Sequence, residues 1–397
     1  MPGPLDGIKV LDLSAVISGP FCCQILADQG AEVIKIEPHG IGDLTRIGAY
    51  RVGTISAMFS TNNRGKKSVA LDLSHPDGVA AVKRLALDAD VVVQNFRPGA
   101  VDRMGIGAAD LHAVNPRLIY VSISGFGPDG PYRDWRVYDP IVQCITGVVS
   151  TQVSQEYPVP DLVRTTICDK ATATAAAQAI TAALFARERG RASGQHLVIP
   201  MLDAARYWLW PDTFNGHTII GPKATPGPML YQVYRVQPTA DGSLVYFAAS
   251  DAEFRGLCKA LGHPEWLDDE RFATPQQRQT SGNFEALGEL LDSGFRAHTT
   301  AALMNRLRAE QVPSAQVNDL DAVFTDPQVV HNDVVHCWEH PTAGPMRHAK
   351  PGVRFSHTVH EPVWAVDELG QSTEDVLRAY GYDDDALAGL RANGVIR

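Results

Sequence analysis

Residues 8–36 read IKVLDLSAVISGPFCCQILADQGAEVIKI, and this stretch decides the fold. IKVLDL at 8–13 is a short apolar run of strand type, residues 19–29 carry a helix-like pattern, and EVIKI at 32–36 is strand-like again. A strand, a helix and a second strand in succession form the unit that builds parallel sheets, because parallel neighbours need a crossover. The pattern then repeats. SVALDL at 68–73 precedes an amphipathic segment at 76–87, whose Val79, Val82, Leu85 and Ala86 share one side. DVVVQN at 90–95, a helix candidate at 107–114 and RLIYVSIS at 117–124 follow. The expected fold class is α/β, with a parallel sheet covered on both faces.

Further along, residues 169–189 are alanine-rich and carry the highest helix propensity in the chain, with Arg187 and Arg189 in the last turn and Gly190 as a C-cap. GQHLVIP at 194–200 reads as one more strand and MLDAARYWLW at 201–210 as a helix. Residues 212–230 are rich in Pro, Gly and Thr and read as a linker. After it, residues 230–250 suggest two strands around the turn Ala240-Asp241-Gly242, and helical patterns follow at 251–261, 284–296 and 299–310. This predicts a smaller α+β domain at 231–330. Residues 333–357 read as extended and 372–393 as helical, with nothing in the periodicity to assign them to either domain.

The 397 residues exceed one ordinary core and point to two domains. A net charge of −10 argues against a nucleic-acid or membrane-surface binder. The N-terminus has no signal-peptide pattern, and the alanine-rich run is too short and too polar to span a bilayer. Cys22, Cys23, Cys144, Cys168, Cys258 and Cys337 form no CxxC pair, which argues that most are buried thiols in a reducing compartment, the cytoplasm, and against structural zinc or a disulfide framework.

Two apparent motifs fail on context. Gly125-Phe126-Gly127-Pro128-Asp129-Gly130 matches GxGxxG after a strand, but Pro128 and Pro131 leave no helix to face a pyrophosphate. His336 to His340 matches HxxEH, but Val334-Val335 before it and Pro341 after it favour a strand. There the two histidines lie roughly 13 Å apart and cannot share one metal ion. No metal is expected.

Two features carry weight. From Leu44 to Leu71 the chain has Arg46, Arg51, Arg64, Lys66 and Lys67 and no acid, which reads as a basic loop suited to a phosphorylated ligand or as a solvated surface. Asp169 opens the alanine-rich helix, and two readings stand. Aspartate is a favoured N-cap, and a carboxylate kept ionised by helix amides can also attack an acyl group.

Taken together, these residues resemble the class III CoA-transferases (CaiB/BaiF type), which include formyl-CoA and carnitine CoA-transferases and α-methylacyl-CoA racemase. The resemblance runs along nearly the whole chain. It is carried in order by GIKVLDLSAVISGPFCCQILADQGAEVIKIE, NRGKKSVALDL, VVVQNFRPGAVDRMG, NPRLIYVSISGFGPDGPY, ICDKATATAAAQAITAALFARERGRASGQHLVIPMLDA and YRVQPTADGSLVYFAAS. It implies a Rossmann-like, discontinuous large domain (1–211 and 331–397) that binds coenzyme A or acyl-CoA, an inserted small domain, and an interlocked homodimer.

The implied reaction moves CoA from an acyl-CoA to a carboxylic acid, with Asp169 as nucleophile. CoA contacts carry over to Val16, Ile17, Ser18, Leu71, Asp72, Leu73, Ser74, Asn95, Phe96, Arg97, Arg103, Arg136, Tyr138 and Asp139. Some relatives have glutamine, arginine and lysine where this chain has Ile17, Pro38 and Ser74, and Arg46, Lys66 or Lys67 stand as substitutes. Racemase relatives place a histidine at Tyr138 and a glutamate at Asp251, and a tyrosine is a poor proton shuttle. The alternatives are therefore a racemase-like isomerase or a non-catalytic CoA-ester binder.

Overall fold

The computed structural model describes residues 2–153, 159–223, 227, 229–280 and 282–397. The chain divides into two compact units, Met1–Pro211 with Asp333–Arg397, and Asp212–Asn332.

The first unit is organised by six strands: β1 (Lys9–Asp12), β2 (Glu32–Glu37), β3 (Lys67–Ala70), β4 (Val91–Gln94), β5 (Ile119–Ser124) and β6 (Gln195–Pro200). They form one sheet in the order β3-β2-β1-β4-β5-β6. Every neighbouring pair is parallel, with Val10 opposite Val33 on one side and Val91 on the other. This is the doubly wound order, in which the chain leaves β1 to one side and later returns to β4 on the other. Ligands of such sheets lie beyond the carboxyl ends of the strands at that reversal.

Side chains alternate across a strand, so each strand feeds two cores. Leu11, Ile34, Val69, Val92 and Tyr120 face one side, against α3 (Pro76–Ala86) and α5 (Ala108–Val114). Val10, Val33, Val93 and Val121 face the other, against α1 (Ser18–Ala27) and α7 (Ile167–Glu188). Helices α1 and α7 also pack on each other. Cys22 and Cys23 meet a helix whose buried face is Ala173, Ala176, Ala177 and Ala183, so small side chains allow the close approach.

Residues 372–393 join this unit. They form α12 (Thr373–Ala379) and α13 (Asp384–Ala392), whose Val376, Leu377, Leu387 and Leu390 complete the first core. Thr373 Oγ1 accepts the Ala70 N–H at 3.0 Å, and the Val395 carbonyl accepts the Asp72 N–H at 3.0 Å. Residues 333–357 contain the hairpin β10 (Val335–His340) and β11 (Gly344–Ala349).

In the second unit, β7 (Gln237–Pro238) and β8 (Ser243–Tyr246) pair across the Ala240–Gly242 turn, and β9 (Ser314–Gln316), absent from the sequence reading, adds to the other edge of β8. Helices α9 (Asp251–Leu261), α10 (Asn283–Arg296) and α11 (Thr300–Ala309) bury Phe254, Leu257, Leu291, Phe295 and Leu303 in a core of their own. The linker read at 212–230 needs correction. Helix α8 (Met201–Thr213) runs into it, a helical turn occupies Asn215–Thr218, and 224–226 and 228 lie outside the described residues.

The basic stretch 44–71 also departs from expectation. It contains α2 (Ala57–Asn63), and four of its five bases, Arg46, Arg64, Lys66 and Lys67, are turned inward or paired, while Arg51 is exposed. Arg46, 1% exposed, grips Glu37 with two bonds of 2.8 and 2.7 Å. Arg64 pairs with Asp28, and Lys67 with Glu32 at the surface. Lys66 Nζ donates to Asp12, the Pro20 carbonyl and Asn63 Oδ1, each at 2.8 Å. Lys35 completes the set, 3.0 Å from Asp43 and 3.8 Å from Asp12. Charge composition could not reveal this, because the acids come from other segments. Arg46 and Lys66 are structural ions, not phosphate ligands.

Burial alone would push Asp12 up, but Lys35 and Lys66 outweigh it and bring it down to about 2. A carboxylate lowered on folding stabilises the fold above its ordinary value, and that contribution is lost as pH falls toward 2. Replacing one partner of a buried pair strands the other charge. Lys66→Met is therefore expected to cost about 3–5 kcal/mol, read as a lower urea midpoint in the unfolding of the large unit.

Candidate active site

Asp169 is the third residue of α7, with Thr166 at the N-cap position and Cys168 before it. It is not the cap but an acid of the helix's first turn. Its side chain is 8% exposed. The carboxylate accepts hydrogen bonds from the Ser18 hydroxyl and the Ser18 backbone N–H, at the first turn of α1. Its own N–H donates to Asp139 Oδ2 at 2.9 Å.

Burial raises the Asp169 carboxyl, and neighbouring Asp139 adds to the rise. The Ser18 bonds and Lys170 oppose it, and the balance lies at about 6. The expectation that helix amides keep this group strongly ionised is corrected here, because desolvation and a second carboxylate outweigh them.

Ser18 is placed by a loop pinned at almost every residue. Ser14 donates its N–H and hydroxyl to Asp12, and its carbonyl accepts Lys35 Nζ at 2.8 Å. Asn95 accepts the Ala15 N–H at 2.8 Å and donates to the Ala15 carbonyl at 2.7 Å. The Val16 N–H points at both oxygens of Asp43, 3.3 Å from each. Val16 has φ of +73°, a left-handed conformation that a β-branched residue holds only when its surroundings impose it. The buried ions are those surroundings.

The sequence-predicted CoA residues gather at one edge of the sheet. Val16, Ile17 and Ser18 follow β1, Leu71 to Ser74 follow β3, Asn95 to Arg97 follow β4, and Arg136, Tyr138 and Asp139 follow β5. Arg103 lies in α4 (Ala100–Met104), just beyond the β4 loop. All stand past the carboxyl ends of their strands.

They divide by exposure. Ser74, Arg97, Arg103, Arg136 and Tyr138 are exposed, with Tyr138 at 62%. Ile17, Ser18, Leu71 and Asp139 are buried. Val16, Asp72, Leu73, Asn95 and Phe96 are intermediate, Asn95 being used on the Ala15 backbone and Asp72 on an Asx turn to Ser74. Asp43 and Gln143 were not singled out in the sequence. Neither sits in a recognisable motif, and each acts through a partner distant in the chain.

The glycine loop after β5 starts no helix. Gly125 is packed so tightly that an added Cβ would lie 2.4 Å from Val137. Phe126, Tyr132 and Trp135 cluster along this loop, the last two stacked at 4.0 Å. In β10, His340 is buried with Nε2 against the Val366 carbonyl at 3.1 Å. Among the described residues no group of three or more His, Cys, Asp or Glu is arranged to hold a metal. In the second unit Asp251 opens α9 and is engaged by Arg278.

A doubly wound sheet with a buried carboxylate at a helix N-terminus defines an α/β protein whose candidate site lies beyond its strand ends. The sequence model of CoA-transferase family III matches residues 5–373. The chain is 34% identical over 403 residues to human succinyl-CoA:glutarate CoA-transferase, covering 99% of this chain and 90% of that protein. It is 35% identical over 407 residues to succinyl-CoA–D-citramalate CoA-transferase of Chloroflexus aurantiacus, covering 100% and 98%. A CAIB/BAIF family protein from Brucella suis, solved by crystallography, matches with a TM-score of 0.82 at 30% identity, covering 96% of this chain and all of that one. The chain belongs to CoA-transferase family III.

Asn95→Ala would unpin Ala15. Loss of the paired bonds is expected to cost about 1–3 kcal/mol and to speed hydrogen exchange at the Ala15 amide, measured by mass spectrometry on peptides spanning 13–18.

Proposed function

We propose that this enzyme moves CoA from an acyl-CoA to a free carboxylic acid through covalent intermediates on Asp169. The observation that carries the reading is that carboxylate's setting, between two helix N-termini at the ligand edge of the sheet, raised to about 6 by burial and Asp139. At neutral pH it is ionised, yet more basic than an ordinary carboxylate. That combination suits an attacking oxygen.

In the proposed sequence an Asp169 oxygen attacks the thioester carbonyl, the C–S bond breaks, and CoA leaves as the thiolate. The product is a mixed anhydride. The thiolate then attacks the Asp169 carbonyl, expelling the donor acid as its carboxylate and leaving an aspartyl-CoA thioester. An acceptor carboxylate attacks that thioester and releases the thiolate again. The thiolate takes the acyl group from the second anhydride, freeing Asp169. No proton has to be moved, so no general acid is required.

CoA itself is proposed to lie along the exposed edge residues, with Arg97, Arg103 and Arg136 toward its phosphates. Succinyl-CoA is the first donor to try, because two of the relatives above carry it in their names. The interlocked homodimer belongs to the same proposal. It is supported by apolar side chains left uncovered on the single chain, such as Tyr207 at 85% and Ile220 at 95% exposure. Six free cysteines fit a reducing compartment such as the cytoplasm. Among the described residues no helix is long and apolar enough to cross a membrane.

Asp169→Ala is expected to lower CoA exchange between succinyl-CoA and a panel of dicarboxylates by about a thousandfold or more, with thermal stability nearly unchanged. Retained exchange would reject the nucleophile. Hydroxylamine added to wild type with succinyl-CoA should mark Asp169 by mass spectrometry. Solvent deuterium entering the α-carbon of an acyl-CoA in the absence of acceptor would favour the isomerase instead. For wild type, kcat/KM should rise with pH through about 6 and then level.

A further inference from the structure

Asp139 and Gln143 stand one turn apart on α6 (Asp139–Thr146), and both are 2% exposed. Neither takes part in the covalent steps above. Gln143 Nε2 donates to Asp139 Oδ1 at 2.6 Å and lies 3.2 and 3.1 Å from the carbonyls of Val163 and Thr165. Its Oε1 accepts the Val163 N–H at 3.0 Å. This one amide therefore ties α6 to the segment that leads into α7. The second oxygen of Asp139 accepts the Asp169 N–H at 2.9 Å. Both donors to Asp139 are neutral, so its charge is fixed in place without being cancelled by them.

We infer that Asp139, fixed by Gln143, is a positioning residue for the nucleophile, anchoring the backbone of Asp169 and opposing the negative charge on its carboxylate. The inference rests on Asp169 being that nucleophile. Each acylation of Asp169 removes its charge, first as an anhydride and then as a thioester. Repulsion from Asp139 is present before the new bond forms and absent after it. The pair therefore favours the covalent states over the free carboxylate, and makes the free carboxylate the stronger base.

The groups acting on Asp169 come from each packed element. Asp139 on α6 opposes its charge, while Ser18 on α1 and Lys170 on α7 favour it. Cys168, its neighbour on α7, is pushed up to about 12 by burial and the two carboxylates, and stays neutral. Asp139 is thus the one negative group in the set.

The test is the pH profile of kcat/KM for succinyl-CoA. Asp139→Asn keeps an oxygen acceptor and removes the charge. It is expected to move the low-pH limb down by about half a unit or more and to lower the plateau about tenfold. Asp139→Glu should restore the limb. Gln143→Met, which loosens the anchor but leaves the charge, should lower kcat with the limb in place. Asp139→Ser replaces the asparagine variant if that protein does not fold. A folded, uncharged variant whose limb does not move overturns the inference and leaves Asp139 a structural residue. Hydroxylamine labelling of wild type separates the two failures. A label on Asp169 with an unmoved limb sinks only this inference, and a label elsewhere sinks the nucleophile as well.

Discussion

Three acids and three bases, Asp12, Glu37 and Asp43 with Lys35, Arg46 and Lys66, are buried at the sheet beside β1, β2 and β3, and the site depends on them. Each would cost several kcal/mol if desolvated alone. They are tolerated because each has an opposite partner and further hydrogen bonds. Arg46 also lies over the Phe59 ring at 3.6 Å. The network does more than neutralise itself. Lys35 and Asp12 hold Ser14, and Asp43 faces the Val16 amide. The backbone that delivers Ser18 to Asp169 is therefore set by ion geometry rather than by apolar packing, which is non-directional. Its left-handed turn at Val16 is the local strain that this rigidity maintains.

Electrostatics at Asp169 follow from the same construction. Two helix N-termini would on their own favour a fully ionised carboxylate. Burial and a second fixed carboxylate pull the other way. The result is a group that is charged at neutral pH but poorly solvated and basic for its type. A surface aspartate would be an ordinary ion, and a buried one without Ser18 would be a neutral acid. The site occupies the interval between those limits, and the residues that define it come from α1, α6 and α7 together.

Much of the frame was legible in the amino-acid order. Strands alternating with amphipathic segments led to the parallel sheet, and Pro341 with the valines before His336 led to a strand where a helix would have made a metal pair. The ordered motif series led to the family. What the order hid were pairings between distant segments. Lys66 and Asp12 are 54 residues apart, and Arg64 and Asp28 are 36 apart. A run of bases without acids looks like a surface until the topology brings carboxylates beneath it. Asp169 is legible as an acid near the start of a helix, but three residues separate the N-cap from its buried place in the first turn, and no periodicity measures that offset. Gln143 carried no signal at all, since a glutamine on an amphipathic helix is ordinarily solvated.

The order in which the large unit is completed has a consequence for synthesis. All six strands of its sheet have been made by Pro200, but Leu377, Leu387 and Leu390, which cover Val69 and Leu71, come only after the whole of Asp212–Asn332. At roughly 5–20 residues per second, a nascent chain carries that part of the face uncovered for on the order of 10–40 s. Its sheet edge at β3 is equally unfinished, because Asp72 has yet to meet Val395. A ribosome-bound chain of this protein thus carries a gap in one helical layer, beside β3, until its last two helices emerge.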